Sequence, residues 1–154
     1  MWINHLDFLA GDEDVILSFN STKSGVGNGL SGLIIGSTTL GDFSMEVGAK
    51  VVEKGVQVPP GFLIKGVRVC YELSNARSFI TQIRLAQLQD PPISTVVMLD
   101  DGADLTDIGP VCVDSIPTSI DPSQGAVRLD FRLNYGDTSD KIVLLGVGLN
   151  LEPR

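Results

Sequence analysis

Val127-Arg128-Leu129-Asp130-Phe131-Arg132-Leu133-Asn134-Tyr135 alternates apolar and polar residues without a break. Successive side chains on a strand point to opposite faces. Val127, Leu129, Phe131, Leu133 and Tyr135 therefore share one face, and Arg128, Asp130, Arg132 and Asn134 share the other. Turn chemistry follows at Gly136-Asp137-Thr138-Ser139-Asp140, and an apolar run resumes from Ile142 to Leu151. The pattern predicts a hairpin, and with it an antiparallel all-β chain whose sheets have one dry and one wet face.

The rest of the chain repeats the theme. Trp2 to Leu9, Val15 to Phe19, Leu33 onward, Phe43 to Val52 and Phe62 to Leu73 read as strands separated by Gly and Pro. Gly48 marks a bulge in the fourth of these. Ser78 to Leu88 has some helical spacing, but its alternation favours a strand. Ile93 to Leu99 is a continuous apolar run, read as a buried central strand. Val111 to Asp114 is a short strand. In all, roughly nine or ten strands are expected, at sandwich spacing. The chain has 154 residues and no linker rich enough to divide it, so residues 1–154 form one domain. Two packed antiparallel sheets are the expected architecture. Long connections at 20–32, 100–109 and 116–125 suit a jelly-roll-like path. An immunoglobulin-like sandwich is the alternative, and Trp2 stands in the wrong place for it.

The formal charge of −8 argues against nucleic-acid partners, because the eleven Lys and Arg are scattered rather than gathered into a basic patch. No segment reaches the roughly 20 apolar residues of a spanning helix, and residues 1–10 lack the pattern of a signal peptide. Neither membrane insertion nor a compartment is therefore read from the chain.

Catalytic signatures are missing. His5 is the single histidine, and no serine sits in a nucleophile elbow. Gly27-Asn28-Gly29-Leu30-Ser31-Gly32 spells a dinucleotide-type glycine motif, but a strand-like run follows it instead of a helix. Asn20-Ser21-Thr22 spells a glycosylation sequon. Glu46, Glu53, Glu72 and Asp130 sit on strands and could line a sheet face, as a hydrolase would require, but nothing in the sequence pairs them. No catalytic residue and no organic cofactor is assigned.

Three candidate features remain. Asp100, Asp101, Asp104 and Asp107 offer carboxylate oxygens of the kind calcium takes, although Asp100-Asp101-Gly102 also makes a good turn. Cys70 and Cys112 both fall on the less apolar side of their strands, where a disulfide is feasible if the strands are neighbours. Trp2, Tyr71 and Tyr135 are the only Trp and Tyr, and so the candidate platforms for a carbohydrate.

Ile142 to Leu151 carries apolar residues at both parities: Val143, Leu145, Val147, Leu149 and Leu151 on one, Ile142 and Leu144 on the other. A strand apolar on both faces is covered on both, which points to a second copy of the chain on the outside. The expected function is therefore a structural or binding sandwich that self-associates. A carbohydrate-binding module, with or without a calcium-held loop, is the alternative, and a hydrolase ranks behind both.

Overall fold

The computed structural model describes residues 1–19, 32–44, 48–89 and 94–154. The glycine motif up to Ser31, the sequon, Glu46 and Ile93 lie outside the described residues. Eleven strands are present among those described: β1 (Trp2–Ile3), β2 (Leu9–Ala10), β3 (Val15–Ser18), β4 (Leu33–Ser37), β5 (Val51–Val56), β6 (Phe62–Leu73), β7 (Phe79–Gln89), β8 (Ser94–Asp101), β9 (Val111–Asp114), β10 (Val127–Asn134) and β11 (Ile142–Pro153). One 3-10 turn, Pro122–Gln124, is capped by Asp121, whose side chain accepts from Ser123 N. No described helix is long and apolar enough to cross a membrane.

The strands form two antiparallel sheets. One has the order β3-β4-β11-β6-β9, with β1 also paired to β11, and the other has the order β2-β5-β10-β7-β8. The chain changes sheet at most connections; only β3–β4 and β7–β8 are sequential neighbours within one sheet. This is the jelly-roll-like sandwich expected from the alternation. Ser78 to Leu88 is a strand, as its period of two requires.

Two expectations fail for the same reason. Val127–Tyr135 and Ile142–Leu151 are not a hairpin, since β10 and β11 lie in different sheets. Both strands have a dry face, and they hide those faces against each other across the sandwich instead of pairing edge to edge. Similarly, Trp2 to Leu9 is divided, with β1 in one sheet and β2 in the other.

The connection after β10 is an arch, fastened by Asp140. Its buried carboxylate accepts from Arg77 Nε at 2.8 Å, from the second Arg77 nitrogen at 3.1 Å and from Ser78 Oγ at 2.6 Å. Ser78 Oγ in turn accepts from Gly136 N at 3.0 Å. The arch between β10 and β11 is thus clasped to the one between β6 and β7. Hydrogen bonds from Arg77 and Ser78 hold the Asp140 carboxyl below its usual range.

The core lies between the sheets. Ile64, Val67, Val69, Leu85, Leu129, Phe131, Leu133, Ile142 and Leu144 are all fully buried in it, and Phe131 stacks on Phe8 with ring centroids 5.4 Å apart. Burying each large side chain contributes about 1.5–3 kcal/mol. Lys50 is also fully buried. Its Nζ donates to Thr39 O at 2.8 Å, Gly41 O at 3.1 Å and Leu40 O at 3.4 Å, so the ammonium ties down the turn after β4.

Bulges explain the strands that are apolar on both faces. In β11, Leu144 pairs with Tyr71 and Gly146 with Cys70, leaving Leu145 as the extra residue. The bulge shifts the parity, so Ile142, Leu144, Val147 and Leu149 all enter one core. The bulge thus accounts for Val147 and Leu149 joining Ile142 and Leu144, while Val143, ahead of it, is fully buried outside that core. In β8 the pairs Leu85–Leu99 and Ala86–Val97 leave Met98 as the extra residue. β8 is an edge strand with exposed Val96 and Val97, not the buried central strand its run of apolar residues predicts.

Candidate functional site

Trp2 lies on the outer face of the six-stranded sheet. Its register partner in β11 is Gly148. A Cβ on Gly148 would stand 3.2 Å from Trp2 Cε3, and one on Gly146 would stand 3.4 Å from Cζ3. Two residues without side chains therefore let the indole rest on the sheet. Its other side faces solvent, with the residue 65% exposed. Hydrogen bonds between Met1 and Leu149 in both directions, at 2.8 and 2.7 Å, fix the start of β1 on β11. A cavity of about 610 Å3 opens on one side of Trp2, bordered by Asn4, Asp7, Lys54 and Gln57. Lys54 Nζ pairs with Asp7 at 3.2 Å on its rim. A more apolar hollow of about 320 Å3, reaching His5, Cys70 and Leu145, opens on the other side.

The other two candidate platforms are core residues. Tyr71 and Tyr135 are each 1% exposed. Tyr135 donates its hydroxyl proton to Ile35 O at 2.6 Å, and burial pushes both phenols up. Both follow the alternation of the apolar face on which they stand, and neither reaches a ligand.

Cys70 and Cys112 are register partners in β6 and β9 and are joined as a disulfide on the outer face of the same sheet as Trp2. Next along that face, Arg68 reaches Asp114 with two hydrogen bonds of 3.0 Å.

The structure does not bring the four aspartates together. Asp100 pairs with Arg84 and accepts from Gln82. Asp101 accepts from the backbone of Ala103 and Ile116. Asp104 takes the Thr81 hydroxyl at 2.7 Å, and Asp107 caps Gly109 N at 2.9 Å. Among the described residues no group of three or more His, Cys, Asp or Glu side chains is placed to hold a metal ion.

The outer face of the five-stranded sheet carries a site that sequence reasoning left unassembled. Register builds it in rows. Glu53, Asp130, Arg84 and Asp100 stand side by side on β5, β10, β7 and β8. Val51, Arg132 and Gln82 form the row on one side, and Gly55, Arg128 and Ala86 the row on the other. Arg128 Nε lies 3.2 Å from both Glu53 Oε2 and Asp130 Oδ1, and it donates to Asp130 Oδ2 at 3.4 Å. Arg132 pairs with Asp42 at 3.0 Å, and its guanidinium sits 4.6 Å from the ring of exposed Phe43. Among the described residues, three buried side-chain polar atoms have no hydrogen-bond partner: Arg84 Nε, Asp130 Oδ1 and Arg132 Nε. The residues that carry them line this trough, the atoms themselves lie beneath its surface, and Asp130 Oδ1 remains in the ion pair with Arg128. Burial, and secondarily neighbouring Glu53, raise the Asp130 carboxyl against the opposing pull of Arg128.

Of the four strand-borne carboxylates considered for hydrolysis, Glu53 and Asp130 are thus neighbours, and Glu72 is in the other sheet. A guanidinium sits between the two neighbours, so they serve as ion-pair partners rather than as a separated acid and base. Arg128, Asp130 and Arg132 were readable as a wet face. Glu53, Gln82 and Arg84 join them only through pairing between distant strands, which no local signal reports.

No protein-family model and no curated protein matches the chain. Among solved structures it is similar to one described as "CBM4 structure and function", at 14% identity over 92% of this chain and 96% of that one, with a TM-score of 0.49.

Proposed function

We propose that this chain is a non-catalytic binding domain whose ligand is a carbohydrate. Trp2 carries the reading: an indole seated on two glycines, with one side open to solvent and a polar-rimmed cavity beside it. The C–H face of a pyranose packs on such a surface through dispersion and apolar burial, while its hydroxyls need polar partners at the rim. Asn4, Asp7 and Gln57 supply them on the cavity side.

The test is binding of the intact chain to a glycan array, followed by calorimetry on the strongest hit. Trp2→Ala is expected to weaken that binding about tenfold to a hundredfold, or 1.4–2.8 kcal/mol. Trp2→Phe is expected to retain part of it. Because the side chain is mostly exposed, Tm should move by less than about 2 °C. A wild-type chain that binds no carbohydrate on the array would remove the reading.

The β8 edge supports a second role, association with another copy. It pairs only with β7 among the described residues and exposes Val96 at 44% and Val97 at 46%. Light scattering checks this role: a mass well above 16.4 kDa supports it, and the mass of one chain dismisses it.

A further inference from the structure

We infer that the ligand is a glycoside with an apolar aglycone, the sugar packed on Trp2 and the aglycone lying in the hollow bordered by Cys70 and Leu145. This rests on the carbohydrate reading and adds the chemistry of the group that the sugar carries. The two spaces beside Trp2 share the indole and Ile3, and they differ in kind. Asn4, Asp7, Lys54 and Gln57 give the larger one charged and amide groups. Among the described residues, no charged or amide side chain apart from the imidazole of His5 borders the smaller one. Its volume is about 320 Å3. A cavity of about 150 Å3 already admits a benzene ring.

The bulge in β11 builds this hollow. Leu144 enters the core, and Gly146 pairs with Cys70 on the outer face. A Cβ on Gly146 would stand 3.4 Å from Trp2 Cζ3 and 3.8 Å from Cys70 Cβ, so the indole and the disulfide flank that glycine. Leu145, the inserted residue, has no partner in β6 and stays out of the core. It is half-buried and borders the hollow. Bulges re-aim side chains in this way beside binding sites. Gly146 thus supplies a floor, Leu145 one wall and Cys70 another. Cys70 is joined to Cys112, so its sulfur carries no S–H donor and packs as a soft apolar atom. A second sugar ring placed here would give up water from its hydroxyls with almost nothing to replace it. A wholly apolar ligand would leave Asn4, Asp7 and Gln57 without use. A sugar bearing an alkyl or aryl group fits both sides of the indole.

The experiment is calorimetry of the intact chain with methyl, butyl and phenyl β-glycosides of glucose, galactose, mannose, xylose and N-acetylglucosamine. For a sugar that binds as its methyl glycoside, the butyl and phenyl forms are expected to bind about tenfold tighter, because each buried methylene contributes up to about fourfold. Leu145→Asn should cut that gain to about twofold and leave the methyl glycoside unchanged. Leu145→Ala should cut it to about threefold, which guards against a local fault in the Asn variant. Equal affinity for the methyl, butyl and phenyl forms, or a gain that both variants keep in full, would overturn the inference and leave sugar recognition by Trp2 standing. Failure of every glycoside to bind a chain that does bind on the glycan array would overturn it too. Failure on the array as well would remove the reading beneath it.

Discussion

The two outer faces of this sandwich treat polar groups in opposite ways. On the six-stranded sheet the polar groups are joined to one another, in a disulfide and a doubly bonded Arg68–Asp114 pair, and beside them the Trp2 indole lies open over bare backbone. On the five-stranded sheet, charged side chains crowd into a trough and three of their atoms go unserved. Groups that the fold satisfies belong to stability. Groups that it leaves without a hydrogen bond are held in place at some expense. The contrast separates charges that the fold pairs off from charges that it crowds together.

The largest expected effect is on the six-stranded sheet. Replacing Cys70 and Cys112 together by Ala opens a cross-link spanning 42 residues. Loop-closure entropy puts the loss at about 4 kcal/mol, read as a fall in the urea midpoint. A fall of less than about 1 kcal/mol would show that β6 and β9 are held by pairing and packing alone.

Asp140→Ala comes next. It strips three hydrogen bonds from the clasp between the two arches and leaves Ser78 Oγ and Arg77 without their carboxylate. A loss of about 2–4 kcal/mol is expected, or roughly 5–15 °C in Tm by calorimetry. A change of only a degree or two would show that the arches are held by packing alone.

The smallest effect sharpens the contrast most, because it reverses sign. Asp140 is held below its unfolded value, so its stabilisation is present above the usual carboxylate range and is lost as pH falls through the folded value. Asp130 is held above its unfolded value. The folded state therefore keeps that proton longer, and acidifying through the window above about pH 4 returns stability instead of removing it. Urea midpoints taken between about pH 3 and pH 7 should show a shallower acid decline for Asp140→Asn and a steeper one for Asp130→Asn. Shifts in the same direction would mean that Asp130 is satisfied after all.

Alternation in β6, β7, β10 and β11 carries most of the fold, because a period of two states which side of a strand is dry. It does not state what the dry side meets. The turn at Gly136–Asp140 looks the same whether the next strand pairs at the edge or packs across the core, and the contacts of Asp140 with Arg77 and Ser78 join residues too far apart in sequence to be read from it. The bulges at Leu145 and Met98 are also silent: an inserted residue flips the parity, and a one-sided strand then reads as a two-sided one. Trp2 was visible as an aromatic, but the glycines beneath it lie at the other end of the chain. The trough depends on register between β5, β10 and β7, and Glu53 and Arg84 become neighbours of Asp130 only when those strands align.

Trp2 is also the sole tryptophan in the chain. Its emission therefore comes from one address, an open indole resting on backbone, and carries no background from a buried companion. Any molecule that settles on that ring and sheds its water should move the spectrum to shorter wavelength, so the unlabelled protein can report its own occupancy.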